Sequence, residues 1–241
     1  MAGDPLIEIT GVTKDYGGLR PLRVQRLTVH EGESVALLGF DAAMAEVLVN
    51  LITAAQLPDQ GEVRVFGRLT TSITAVDDWV TELDRFGLIS ARAVLVDQFT
   101  AEQNLALPLT LEVENLPPAI RSEVNAVAQE VGLTADELAT ATSSLSPLAQ
   151  HRLRLGRALA LRPRILLAEH PTAQLYGEDS RIFAVQVSHV TEQRGIAALV
   201  MTTDPALRSV ADRVLELQPS TGLLSEQGLG WRRWFSGRNK T

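Results

Sequence analysis

The chain has no cysteine, and lysine is nearly absent: among 22 basic side chains only Lys14 and Lys240 are lysine. Without cysteine there are no disulfides, no thiolate metal sites and no cysteine nucleophiles. With no lysine between positions 14 and 240, Schiff-base chemistry deep in the chain is excluded, and so is the lysine of a phosphate-binding loop. A formal charge of −7 argues against a nucleic-acid partner, whose footprint is usually basic. No apolar run approaches the roughly 18 residues of a spanning helix. Met1 to Pro5 carries no charged-then-apolar export pattern, so a cytoplasmic location is expected.

What is present is a globular composition. The chain has 241 residues, 45% apolar and 21% charged, which suits one domain, or one domain with a small lobe. Leu6 to Val12 and Arg23 to His30 alternate in polarity as half-buried strands do. Ser34 to Leu38, Ile165 to Ala168, Ala197 to Thr202 and Arg213 to Leu217 read as further strands; the first three are short apolar runs buried on both faces. After Gly39, the residues Met44, Val47, Leu48, Leu51 and Ile52 form one helical stripe. Gly61 to Gly67 is a strand between glycines. Helices are predicted over Pro117 to Gly132, from a Thr134/Glu137 capping box, from a Ser146 N-cap to Leu161, and over Arg181 to Glu192. Residues 77–118 give no clear pattern. Strands alternating with helices predict an α/β fold with a mainly parallel core sheet.

In this order the segments resemble the ATP-binding subunit of an ABC transporter, of the lipoprotein-release and macrolide-export type, over about residues 6–218. The phrases that carry the resemblance are Glu33 to Gly39, Pro58 to Gly67, Phe99 to Pro108, Gln150 to Ala160, Leu166 to Thr172 and Asp204 to Leu217. The resemblance implies a P-loop NTPase-like nucleotide-binding domain over residues 1–225. It implies an antiparallel β edge and an inserted α-helical lobe over about residues 100–160. Residues 226–241 then form a basic aromatic tail with Trp231, Trp234 and Phe235, suited to contact with a membrane surface.

The positions that match the family's catalytic motifs depart from them. The phosphate loop reads Gly39-Phe40-Asp41-Ala42-Ala43-Met44-Ala45-Glu46. Only the first glycine of the pattern remains. Ala45 stands at the lysine position, and Glu46 at the magnesium-binding hydroxyl. The glutamine-loop position is Ala91, the second Walker carboxylate is Glu169, the catalytic-glutamate position is His170 and the switch-histidine position is Thr203. The signature reads Leu145-Ser146-Pro147-Leu148-Ala149, and the following aspartate position is Tyr176. By the same resemblance, Tyr16, Gly39 and Ser146 are the residues left for nucleotide contact.

Physical chemistry gives these departures a direction. Asp41, Glu46 and Glu169 add negative charge where a triphosphate would sit. Each unscreened like-charge pair near 4 Å costs on the order of 1–4 kcal/mol, against about 0.3–1 kcal/mol from a helix N-terminus. Asp41 is also placed to cap the following helix and so occupy the anion site with the chain's own carboxylate. Glu46 and Glu169 are hard oxygen donors that would suit magnesium, yet no metal site is expected. His170 is read as filling space at a strand end in preference to acting as a general base. His30, His151 and His189 are read as structural or surface residues.

The expected function is a catalytically degenerate ABC subunit, a structural or regulatory partner of a membrane permease or of an active ATPase subunit, peripheral to the inner face of the cell membrane. It needs no cofactor. ATP and Mg2+ enter only under the alternative, a divergent but working transport ATPase. A soluble interaction module no longer tied to transport is the second alternative.

Overall fold

A computed structural model describes residues 5–73 and 76–228. The tail residues Trp231, Trp234 and Phe235 lie outside the described residues. The elements, in chain order, are β1 (Pro5–Lys14), β2 (Leu22–His30), β3 (Ser34–Leu38), α1 (Ala42–Ile52), β4 (Gln60–Val65), β5 (Arg68–Leu69), α2 (Val76–Leu83) and β6 (Phe86–Ile89). Then follow α3 (Ala101–Ala106), α4 (Pro118–Glu130), α5 (Ala135–Ala139), α6 (Pro147–Leu159), β7 (Ile165–Glu169), α7 (Gly177–Arg194), β8 (Ala197–Met201), α8 (Pro205–Val210), β9 (Arg213–Gln218) and β10 (Leu223–Gln227).

The strands make two sheets. One is antiparallel, in the order β2-β1-β4-β5; the other is mixed, in the order β10-β9-β3-β8-β7-β6. In the mixed sheet β9, β3, β8, β7 and β6 run parallel, and β10 is antiparallel to β9. The arrangement is the α/β fold that the segment order implies, with a mainly parallel core sheet, an antiparallel sheet and helices between the strands.

The apolar strands are buried on both faces because alternate residues feed two cores. Ile165 and Leu167 of β7, with Ala197, Leu199 and Met201 of β8, join α1 and the antiparallel sheet. Leu166, Ala168, Ala198 and Val200 face the other way, toward α4, α6 and α7. The helices α3 to α6 form the predicted lobe. It is tied to α7 by Arg194, which grips both oxygens of Glu130 at 2.6 and 2.5 Å and donates to the Leu159 carbonyl at 2.7 Å.

The stretch that was unreadable in sequence holds α2, β6 and α3. The strand β6 carries Gly87 because α6 packs directly on it: a Cβ there would come within 2.5 Å of the Ala158 carbonyl oxygen. That glycine also breaks up the apolar run that would mark the strand in sequence. Both capping expectations hold. Thr134 and Glu137 form a capping box on α5, and Ser146 accepts the Ala149 N–H at 3.2 Å ahead of Pro147.

Candidate functional site

The parallel strands β3, β6, β7 and β8 end at one edge of the sheet, where ligands of open α/β folds bind. This edge gathers Gly39, Asp41, Glu46, Ala91, Glu169, His170 and Thr203 from far-apart stretches of sequence. The register fixes the gathering: the His170 N–H donates to the Met201 carbonyl at 2.9 Å, and the Thr202 N–H to the Leu37 carbonyl at 3.0 Å. Ser146 stands apart, at the start of α6.

At the β3–α1 junction Gly39 has φ +81°, and a Cβ there would meet the Leu217 carbonyl oxygen at 2.9 Å. The fold needs this glycine for the turn and for its contact with β9, whatever binds nearby. Phe40 turns inward and is 3% exposed. The helix begins at once, at Ala42, with Asp41 as its N-cap. The Asp41 carboxylate accepts the Met44 N–H at 2.8 Å, and its carbonyl accepts the Ala45 N–H at 2.9 Å. Helix N-termini attract anions because their first N–H groups lack partners; here the chain's own carboxylate takes that role. The side chain of Ala45, at the lysine position, is fully buried in the core.

The arginine after Ala91 completes the site, and sequence reasoning passed over it. Arg92 reaches from the loop after β6 to both acids. Its Nη1 lies 3.2 Å from Glu46 Oε1 and donates to Asn50 Oδ1 at 3.4 Å, while its Nη2 donates to Glu169 Oε1. A guanidinium therefore stands between Glu46 and Glu169. Among the described residues there is no group of three or more His, Asp or Glu placed to hold a metal ion. The available signal was charge compensation, an acid at 46 matched by a base beside 91.

Burial is the largest influence on Glu169 and raises its pKa; the Arg92 hydrogen bond and charge pull it back without cancelling the shift, and Glu46 pushes it up further. His170 follows at the strand end with φ +46° and its Nε2 buried, without a partner among the described residues. Ala91 and Thr203 are exposed.

Tyr16 sits on the loop after β1, half-buried against the α1 core. Burial raises the pKa of its hydroxyl, and the charge of Asp41 adds to the effect. Gly18 lies against the ring, where a Cβ would come within 2.7 Å, so backbone covers part of the ring that would receive a base. His151 has a structural role: its two ring nitrogens lie 2.8 Å from the Pro147 carbonyl and 2.9 Å from that of Ala173, joining α6 to the loop after β7. Tyr176 is 84% exposed at the start of α7.

The family model described as "ABC transporter" matches residues 22–173. A lipoprotein-releasing system ATP-binding protein (LolD) of Anaeromyxobacter dehalogenans (strain 2CP-C) is 33% identical over 222 residues, covering 88% of this chain and 90% of the relative. A methionine import ATP-binding protein (MetN) of Brucella abortus (strain 2308) is 28% identical over 230 residues; the match covers 95% of this chain but only 61% of the relative's length. Among solved structures, a dimeric ATP-binding cassette, MJ0796, in a post-hydrolysis state bound to ADP and Pi has a TM-score of 0.76 at 23% identity. That match covers 92% of this chain and 98% of the other.

Proposed function

Because the chain belongs to the ABC transporter ATP-binding family, we propose that it is a subunit of a transport system that has kept the family's shape without its ATP chemistry. It acts as a structural or regulatory partner of a membrane permease or of an active ATPase subunit. The observation that carries this reading is the closed helix N-terminus: the Asp41 carboxylate holds the Met44 N–H where a phosphate would have to enter.

The residues at this edge do not fit a magnesium–nucleotide. There is no lysine to pair the outer phosphates. The helix starts at Ala42, so no glycine loop remains to wrap an anion. His170 is no substitute for the catalytic base, since nothing is left to position a phosphate before it. The signature helix begins at Pro147, which has no N–H to offer a nucleotide held by a facing subunit.

A protein partner is favoured by the groove between β6 and the helical lobe. Phe86, Leu88, Leu95 and Pro108 line it with Arg154 and Arg157. Leu161 at its rim is 44% exposed, and Val94, whose carbonyl Arg157 holds at 2.7 Å, is 71% exposed. A cytoplasmic segment of a permease with apolar and acidic side chains is the occupant proposed. We assign residues 1–225 to this domain and residues 226–241 to a basic aromatic tail that contacts an anionic membrane surface. Among the described residues no helix is long and apolar enough to cross a membrane.

The test is titration of the purified chain with a fluorescent ATP analogue and magnesium, alongside a steady-state phosphate-release assay. No saturable binding and no hydrolysis above buffer are expected. Saturable binding that unlabelled ATP displaces would overturn the proposal.

A further inference from the structure

The two acids at the sheet edge come from separate elements, Glu46 from α1 and Glu169 from the end of β7. Among the described residues Arg92 is the one cation within ion-pair distance of either. Its fork divides between them: Nη1 serves Glu46 and Asn50, and Nη2 serves Glu169. The Glu169 side chain is 9% exposed, whereas Glu46 and Arg92 are 46% and 40% exposed. A largely buried carboxylate near a second acid needs a counter-charge, a proton or a bound cation. The chain supplies the first of these itself.

We infer that Arg92 is the resident cation of this site: a positioning residue whose guanidinium holds the place a divalent ion would take between Glu46 and Glu169, and so keeps such ions out of the unaltered protein. The inference deepens the functional reading above by naming the residue that closes the site.

The same residue latches its loop. The Arg92 N–H donates to Ser90 Oγ at 3.1 Å, and the Val94 N–H donates to the Arg92 carbonyl at 2.9 Å. Arg157 of the helical lobe holds the carbonyl two residues on, that of Val94. One guanidinium thus ties α1 and β7 to the loop that faces the lobe, with no nucleotide needed. Without Arg92, the three oxygen donors that its guanidinium now contacts (Glu46, Glu169 and Asn50) would lose their shared counter-charge, leaving oxygen donors of the kind hard divalent ions accept.

The experiment uses the full chain and Mn2+ alone, with no nucleotide. Binding is read from loss of the free-ion EPR signal and from a Mn2+-dependent rise in Tm. The unaltered protein is expected to show neither up to about 1 mM Mn2+. R92A and the volume-conserving R92M, checked for fold by circular dichroism, are expected to bind at least about tenfold more tightly, since a net negative site replaces a compensated one. Adding E46Q to either should abolish the gain.

The inference is overturned if the unaltered protein binds Mn2+ as tightly as the variants through Glu46. It is equally overturned if a folded R92A or R92M gains no affinity. If both variants fail to fold, the unaltered protein's response to Mn2+ decides alone: E46Q-sensitive binding overturns the inference, and none upholds it. Nucleotide is left out so that ATP binding by the unaltered protein, which would overturn the functional reading, is measured separately.

Discussion

The Asp41 carboxylate accepts the Met44 backbone N–H at 2.8 Å, three residues along, and so closes the N-terminus of α1. This is ordinary N-cap geometry in a place where the fold family keeps a phosphate loop. The D41A variant is expected to lose about 0.5–2 kcal/mol of stability, a fall in Tm of about 2–4 °C for each kcal/mol in a chain of this size. D41N and D41S should recover most of it. Thermal denaturation of the three variants checks this; equal losses in all three would show that the cap contributes nothing.

Placing a lysine at position 45 should not confer ATP hydrolysis if the proposed function holds. Ala45 is fully buried in the α1 core, and a lysine there would bring an uncompensated charge into that core. A45K is expected to cost about 3 kcal/mol or more and to leave phosphate release at background. A stable A45K protein that hydrolyses ATP would refute this.

The pH dependence follows from Glu169. Burial raises its pKa in the fold, so between the ordinary carboxylate range and the raised value the folded state holds more protons than the unfolded one. Stability contributed by this group therefore falls as pH rises through that window. Arg92 limits the loss by favouring the charged form. R92M should steepen the fall in Tm as pH rises above the ordinary carboxylate range, and E169Q should flatten it. Identical slopes in R92M and R92M/E169Q would rule out Glu169 as the source.

Asp204 should act in the opposite sense. Burial pushes its pKa up, but hydrogen bonds from Ser180, Thr172 and the Ala206 N–H outweigh that and hold it low. Its contribution is present above the ordinary carboxylate range and is lost as pH falls through the lowered value. The D204N variant should lose part of the acid-side decline in Tm; an unchanged acid limb would count against this assignment.

The lobe is joined to the body of the domain at Arg194. Its side chain and that of Glu130 are only 17% and 21% exposed, and both carboxylate oxygens are bonded. Either R194M or E130Q should cost about 1.5–3 kcal/mol, as a hydrogen-bonded charge left without its partner does. In a double-mutant cycle the second change should add little to the first. Full additivity would mean that the pair is not coupled.

Much of the fold was legible because its signals are local. Short apolar runs marked β3, β7 and β8, and capping residues marked α5 and α6, since a side chain three residues from an N–H needs no tertiary partner to reach it. The strand β6 escaped because Gly87, required by the close approach of Ala158, interrupts its pattern. The strand β10 escaped because it is a partly exposed edge with little apolar alternation to read.

The candidate site divides in the same way. The sequence alone determined which residues stand at the start of α1: position 45 is alanine, with no lysine anywhere between positions 14 and 240, and Asp41 stands where it can cap the next helix. Only the tertiary structure decided what stands in the gap. Arg92 is 77 residues from Glu169 in the chain, and nothing in their local sequence links them. Parallel strands joined by long crossovers bring β6 and β7 side by side and end them at one edge. The ion pairs across that edge are a property of the sheet's order, which no local pattern encodes.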